Sequence, residues 1–130
     1  NKTHYMQRYP REYFLQRVMA GEFYLALDEQ EKPAGIMALL TEDPRWEGSE
    51  PKNCYYVHHL AARTGAKGAG RVLLRFCEEL SRQEGREVVR LDCQLGNRKL
   101  NDFYESLGYE YAGPMVEGEY EGIKREKKLD

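Results

Sequence analysis

The feature that most restricts the fold is a strand, a glycine-rich loop and a helix in direct succession. The run CYYVHHLAA, residues 54–62, is rich in aromatic and β-branched residues, which is typical of a buried strand. The loop RTGAKGAG follows it, and apolar residues then recur at helical spacing at Leu73, Phe76, Cys77 and Leu80. A second apolar run, VVRLDC, occupies residues 88–93. The sequence therefore predicts a βαβ unit with two parallel strands.

Antiparallel hairpins are predicted on both sides of this unit. FYLAL, residues 23–27, and AGIMALL, residues 34–40, are short apolar runs joined by a polar turn. Residues 109–116 and 119–129 are the candidate final strands. The last of these carries mixed charge, so we expect it to form a solvated edge of the sheet.

Two further helices complete the prediction. Phe14 and Val18 belong to an apolar stripe near the start of the chain, and Asn97 can cap a helix that follows the second parallel strand. The apolar positions of that later helix are Leu100, Phe103, Tyr104 and Leu107. The predicted fold class is α/β (α+β), with one domain over residues 1–130. Its sheet is mixed and mostly antiparallel, with one central parallel pair and flanking helices.

Composition excludes several functional classes. The net charge of -2 provides no basic field for nucleic acid, and the apolar runs are too short to cross a bilayer. Cys54, Cys77 and Cys93 lack the spacing of metal ligands, so no metal site is predicted. An odd number of separated cysteines is typical of reduced, buried thiols in a cytoplasmic protein.

The loop can hold a phosphate. Glycine permits close approach of backbone to a ligand, and the first turn of a helix presents unpaired N–H groups and partial positive charge. Lys67, Arg71 and Arg63 would add charge at the rim. A tight strand-to-helix connection, in which the glycines only turn the chain, accounts for the same residues, and spacing alone leaves both interpretations open.

Two common phosphate motifs match only in part. A P-loop would need Lys and Ser or Thr where Arg71 and Val72 stand. A dinucleotide fingerprint would need a third glycine where Leu73 stands, although Asp92 lies at a suitable distance for a ribose contact. Nucleotide binding is therefore a weaker alternative.

Three segments in order resemble the GNAT family, the GCN5-related N-acetyltransferases. LAA at residues 60–62 with GAKGAGRVLL at 65–74 resembles the family's acyl-CoA loop. RLDC at residues 90–93 resembles the strand that follows it. The segment from Asn97 through NDFYESLGY, residues 101–109, resembles the family's later helix. The resemblance covers roughly residues 23–129.

This resemblance implies acetyl transfer from acetyl-CoA to a primary amine of a small molecule or peptide. It implies that the two parallel strands splay apart to admit the pantetheine arm of the co-substrate. The residues that it assigns to acyl-CoA binding are Leu60, Ala61, Ala62, Gly65, Ala66, Lys67, Gly68, Ala69, Gly70, Arg71, Asn97 and Tyr104.

The resemblance also gives candidates for proton transfer. Tyr104 matches the family tyrosine that protonates or hydrogen-bonds the leaving thiolate, although its position in an apolar stripe equally suits core packing. His58 is the candidate base, because simple alternation puts it on one strand face with Tyr56 and Leu60. A structural role accounts for His58 as well. Tyr55, Tyr56 and Trp46 are candidates for the lining of the amine pocket.

Departures from the family pattern support an alternative. Gly65 stands where an Arg or Gln is usual, and the strand and helix that open the family fold would precede the segment with which this chain begins, which suggests an N-terminally truncated domain. These points favour, as the second hypothesis, a non-catalytic acyl-CoA-binding or regulatory module. An unfinished sheet edge would also allow a homodimer to form by strand pairing.

Overall fold

The computed structural model describes residues 21–130, which contain six strands and two α-helices. In chain order these elements are β1 (Phe23–Leu27), β2 (Pro33–Leu40), β3 (Cys54–Ala62), α1 (Ala69–Gln83), β4 (Val88–Gln94), α2 (Arg98–Ser106), β5 (Glu110–Glu117) and β6 (Tyr120–Lys128). A single 3₁₀ turn, Pro44–Trp46, lies in the loop between β2 and β3. All the strands predicted from the sequence are present, and the helix predicted near Phe14 falls outside the described residues.

The strands form one mixed sheet in the order β1-β2-β3-β4-β6-β5. Strands β3 and β4 are parallel, with Cys54 opposite Val88 and Tyr56 opposite Arg90. The β1–β2, β4–β6 and β5–β6 pairs are antiparallel. The predicted mixed, mostly antiparallel sheet with a central parallel pair is therefore confirmed.

The chain divides into two compact units. In the described residues, one unit holds the chain up to Leu40 together with Val57–Glu79, and the other holds Thr41–Tyr56 and Leu80–Asp130. The first unit contains the β1–β2 hairpin, the glycine-rich loop and most of α1. The second contains β4, α2, β5 and β6.

Helix α1 buries a face that matches the predicted one only in part, since Leu73 and Cys77 are buried as predicted. Leu73, Leu74 and Cys77 are buried, whereas Phe76 is 45% exposed. The ring of Phe76 instead contacts Tyr24 of β1, with 5.3 Å between the ring centroids. The apolar spacing alone could not determine the face, because the helix carries more apolar residues than one face accommodates. The three cysteines are all buried, as predicted.

The start of α1 packs very closely on β2 at Gly35. A Cβ atom built at Gly35 would lie 3.1 Å from Ala69 Cβ, 3.1 Å from Leu73 Cδ1 and 3.2 Å from the Ala61 carbonyl oxygen. Only glycine fits here without movement of the helix, so Gly35 fixes the position of the first turn of α1 against the strand.

We expect Gly35→Ala to lower the free energy of unfolding by about 1–3 kcal/mol, the usual cost of overpacking. Urea unfolding followed by circular dichroism measures this change. Gly96→Ala is the matched control, because a Cβ there meets nothing within 4 Å. Equal effects of the two substitutions would contradict the role of close packing at Gly35.

The last strand is not the solvated edge that its charge suggested. Strand β6 hydrogen-bonds to β4 on one side and to β5 on the other. Its Arg125 is buried, and its guanidinium donates to Asn101 Oδ1 at 3.1 Å and to the Tyr109 carbonyl oxygen at 2.9 Å. The prediction was wrong because these charges have buried partners that lie far away in the sequence.

The loop between β2 and β3 is anchored by Arg90 of β4. The Arg90 Nη2 donates to the Glu50 carbonyl oxygen at 2.7 Å, and its guanidinium carbon lies 4.5 Å from the ring centroid of Trp46. Its Nε donates to Glu126 Oε1 of β6 at 2.7 Å. Trp46, a candidate for the amine pocket, is buried against Tyr56 and this arginine.

Candidate functional site

The glycine-rich loop has the backbone conformation that only glycine adopts easily. Gly65 has a φ of 85° and Gly68 a φ of 82°, both in the left-handed region. An Arg or Gln at position 65 would be strained in this conformation. The departure from the family pattern at Gly65 therefore has a local structural reason.

The free donors of this loop are fewer than the sequence suggested. The Ala66 N–H donates to the Arg63 carbonyl oxygen at 2.9 Å, and the Lys67 N–H donates to the Gly65 carbonyl oxygen at 3.1 Å. Helix α1 begins at Ala69, whose N–H donates to the Ala66 carbonyl oxygen at 3.5 Å, and the Val72 N–H donates to the Gly68 carbonyl oxygen at 3.0 Å. In the described residues, the backbone N–H groups that remain available to an anion at the helix start are those of Gly70 and Arg71.

Arg63, which the sequence predicted as a positive charge at the rim of the loop, instead binds groups of the β1–β2 turn. Its guanidinium donates to the Pro33 carbonyl oxygen at 2.9 Å and to Asp28 Oδ2 at 3.1 Å. The pKa of the Asp28 carboxyl is lowered because the Lys32 N–H and the Arg63 side chain donate to it. Arg63 thus ties the loop to the β1–β2 turn. Of the three positive residues predicted at the rim of the loop, Lys67 and Arg71 are still candidates for contact with an anion at the helix start.

The end of β3 is irregular at the two histidines. His59 has a φ of 57°, which is rare for a residue with a side chain, and its ring stacks on Phe23 at a centroid distance of 5.8 Å. This residue interrupts the regular alternation of side chains along the strand. Simple alternation therefore does not place His58 and Leu60 on one face. His58 itself is partly buried, and its role as a base stays a prediction.

Tyr104 lies on the buried face of α2 and meets Tyr109 edge-on at a centroid distance of 6.1 Å. Burial raises the pKa of its phenol, and the neighbouring Cys93, Asp92 and Tyr120 raise it further. The hydroxyl is therefore protonated at neutral pH. It can donate a hydrogen bond to a nearby anion, as the role predicted from the sequence requires.

Asn97 and Asn101 fix the helix that carries Tyr104. The Asn97 Oδ1 accepts from the Leu100 N–H at 3.0 Å, so the predicted helix cap is present. Asn101 is buried, and its Oδ1 accepts from the Cys93 thiol at 3.1 Å. Its Nδ2 donates to the Gln94 carbonyl oxygen at 3.1 Å. Asn101 thus attaches α2 to the end of β4, a role that no sequence motif predicted.

A second cluster of polar side chains was not recognised in the sequence. The Tyr120 hydroxyl donates to Asp92 Oδ2 at 2.8 Å, and Arg45 Nη1 donates to the same oxygen at 3.2 Å. Arg45 Nη2 donates to Glu117 Oε1 at 2.9 Å. The Asp92 carboxylate is thus already bound by two side chains of this chain, which does not favour its use as a ribose contact.

A strand, a left-handed glycine loop and a helix start are typical of α/β domains in which a helix N-terminus can bind an anion. The model of the acetyltransferase (GNAT) family matches residues 1–109. Because this match covers most of the chain, the protein belongs to the GNAT acetyltransferase family.

Curated and solved relatives agree with this assignment. The uncharacterized N-acetyltransferase YesJ of Bacillus subtilis is 28% identical over 97 residues, which are 69% of this chain and 54% of YesJ. The chain thus spans about half the length of that relative. A GNAT acetyltransferase from Listeria monocytogenes matches with a TM-score of 0.74 at 24% identity, over 89% of this chain and 69% of its own.

The NatB acetyltransferase complex bound to CoA and MES has the same fold. Its TM-score is 0.75 at 16% identity, and the match covers 94% of this chain and 84% of that one. In residues 21–130, no helix has both the length and the apolar character needed to span a membrane.

Proposed function

We propose that this protein is an acetyl-CoA-dependent N-acetyltransferase. It would transfer the acetyl group to a primary amine of a small molecule or peptide by direct attack in a ternary complex. The observation that carries this proposal is the left-handed loop at Gly65 and Gly68 that opens into α1. A loop of this kind at a helix start suits the pyrophosphate of CoA, and the related NatB complex is bound to CoA.

The cofactor-binding residues follow from the loop and from β3. The N–H groups at the first turn of α1 would receive the pyrophosphate, with Lys67 and Arg71 adding charge at its rim. Backbone groups of Leu60 and Ala62 would hydrogen-bond the pantetheine arm, and one of their N–H groups would polarise the thioester carbonyl. The contact region that we propose is completed by Ala61, Ala66, Ala69, Gly70 and Asn97.

The chemistry needs a neutral amine and a stabilised thiolate. Acetyl-CoA supplies an acetyl thioester when it is bound. Tyr104 would donate a hydrogen bond to the departing sulfur, a role that suits a phenol that is held protonated by burial. His58 is the candidate from the sequence for the group that receives the proton of the amine.

Thiol release from acetyl-CoA tests the proposal directly. The acceptors are spermidine, glycine, a peptide with a free N-terminus, Nα-acetyl-lysine and an aminoglycoside. Turnover with at least one amine supports the proposal, and intersecting initial-velocity lines support a ternary complex. Tight binding of acetyl-CoA without turnover on any amine would instead favour a non-catalytic acyl-CoA-binding module.

The loop conformation makes a separate prediction for Gly68→Ala. A methyl group at a φ of 82° is strained by about 1–2 kcal/mol. We expect the loop to relax away from its binding conformation, so affinity for CoA falls about tenfold, which corresponds to ~1.4 kcal/mol. Isothermal titration calorimetry with CoA measures this affinity.

Gly85→Ala is the matched control for this prediction. Gly85 has a φ of 73° but lies after α1, away from the loop. The same backbone strain should therefore lower the free energy of unfolding without changing the affinity for CoA. A loss of affinity in both variants would mean that general destabilisation, and not the loop, is responsible.

A further inference from the structure

Tyr120 is held in one position by contacts on three sides. Its hydroxyl donates to Asp92 Oδ2 at 2.8 Å. The guanidinium carbon of Arg45 lies 4.9 Å from its ring centroid. The ring also lies directly over Gly122, where a Cβ atom would come within 2.8 Å of Tyr120 Cε2. A tyrosine fixed in this way has a defined direction for its hydroxyl oxygen.

The two partners in the hydrogen bond differ in their access to a ligand. The side chain of Asp92 is only 5% exposed, so its carboxylate cannot meet an incoming molecule directly. Tyr120 is partly exposed, and its oxygen keeps lone pairs that can accept a hydrogen bond while its proton points to Asp92. Tyr120 can therefore transmit the effect of the carboxylate to a ligand.

This pair lies close to the proposed acid. The end of β4 joins the two segments: the Gln94 carbonyl oxygen accepts from Asn101 Nδ2 of α2 at 3.1 Å, one turn before Tyr104, and the Leu95 N–H donates to the carbonyl oxygen of Glu121, the neighbour of Tyr120, at 2.9 Å. Asp92 and Tyr120 also raise the pKa of Tyr104 through their charges. In an acyl transfer the amine nitrogen and the sulfur are bonded to the same carbon at the moment of attack. A side chain near Tyr104, the proposed hydrogen-bond donor to the sulfur, is therefore within reach of the amine.

We propose that Tyr120 is a catalytic residue that contacts the acceptor amine, and that Asp92 is a positioning residue that acts through it. This inference rests on the proposed function and assigns the proton of the amine to Tyr120 in place of His58, the candidate from the sequence. Arg45 keeps Asp92 in place, because it donates to the same carboxylate oxygen at 3.2 Å.

Proton transfer accompanies formation of the new amide bond. As the amine nitrogen bonds to the carbonyl carbon, its N–H becomes more acidic and breaks, and a new O–H bond forms on the Tyr120 oxygen. The original O–H bond of Tyr120 breaks, and its proton moves to Asp92. The C–S bond breaks, and the thiolate accepts a hydrogen bond from Tyr104. After the product leaves, the proton returns from Asp92 through Tyr120 to water.

A double-mutant cycle with Tyr120→Phe and Asp92→Asn tests this inference. The acceptor is the panel amine with the fastest wild-type release. We expect each single variant to lower kcat/KM for that amine about 10²-fold through kcat, with the affinity for acetyl-CoA unchanged. The double variant should be no slower than either single variant, since residues that act as a unit are not additive.

Two conservative variants isolate the effect of the Tyr120 hydroxyl. Tyr120→Phe keeps the ring on Gly122 and under Arg45, so this variant should fold even if Asp92→Asn does not. Tyr111→Phe makes the same change on a residue of β5 that is 61% exposed, and it should have no effect. Additive losses of about 10⁴-fold in the double variant, or an unchanged rate in Tyr120→Phe, would overturn the proposal.

The wild-type enzyme and a His58 variant complete the test. A large loss in His58→Gln together with wild-type rates in Tyr120→Phe would assign the proton to His58 and overturn our proposal. The absence of wild-type turnover on every amine would contradict the proposed function, and with it the role of Tyr120. Wild-type turnover with an unaffected Tyr120→Phe variant would contradict only the role of Tyr120.

Discussion

Replacing Tyr104 with Phe is expected to lower kcat for acetyl transfer about 10²-fold or more, with no change in the affinity for acetyl-CoA. The phenol is buried and held protonated, so it can stabilise the thiolate only as a hydrogen-bond donor. The substitution removes this donor and keeps the ring that packs on Tyr109. Steady-state thiol release and calorimetric binding of acetyl-CoA measure the two quantities.

The apolar position of Tyr104 also suits a purely structural role, and the same variant distinguishes the two. A structural tyrosine that loses its hydroxyl would change the free energy of unfolding and leave kcat of the folded enzyme close to the wild-type value. An unaltered kcat with an intact fold would therefore show that Tyr104 is not the donor to the sulfur.

Removing the buried guanidinium of Arg90 should give the largest loss of stability. We expect Arg90→Met to lower the free energy of unfolding by about 3–5 kcal/mol. The side chain of Arg90 is 3% exposed, and it binds Glu126 Oε1 at 2.7 Å and the Tyr56 hydroxyl at 3.2 Å. The substitution would leave the Glu126 carboxylate without this partner. Domains of this size are stable by about 5–15 kcal/mol, so much of that margin would be lost.

Two variants sharpen the stability measurement by urea unfolding. Arg82→Met removes a guanidinium that pairs with the 99% exposed Asp130 at 3.4 Å, and it should cost only about 0–1 kcal/mol. Adding Glu126→Gln to Arg90→Met removes the charge left behind, and part of the stability should return. If Arg90→Met costs no more than Arg82→Met, the buried network does not stabilise the fold as we infer.

Much of the sheet could be predicted because its strands carry short apolar runs bounded by turn residues. The prediction for β6 was wrong, since its pattern of charge says nothing about the buried partners that Arg125 and Glu126 find elsewhere. The buried face of α1 was predicted only in part: Leu74 is buried and Phe76 is exposed, and the ring of Phe76 contacts Tyr24 of β1. Such contacts join residues that are distant in the chain.

For the candidate site, the sequence indicated the residues that lie in contiguous motifs and missed those that come together only in the folded chain. The glycine loop and Tyr104 lie in contiguous motifs, so local sequence was enough to propose them. Asp92, Arg45 and Tyr120 come from three separate segments and meet only in the folded chain. The left-handed backbone at His59 has no signal in the sequence either, since residues other than glycine adopt this conformation uncommonly.

The central position of β6 has a consequence for synthesis of the protein. Strand β6 lies between β4 and β5, although it follows both of them in the chain. While the ribosome still holds residues 120–128, β4 and β5 cannot reach their final arrangement, and both expose backbone groups that β6 will later pair. This half of the sheet can therefore assemble only after β6 has left the ribosome, and a nascent chain lacking β6 should be the form most dependent on chaperones.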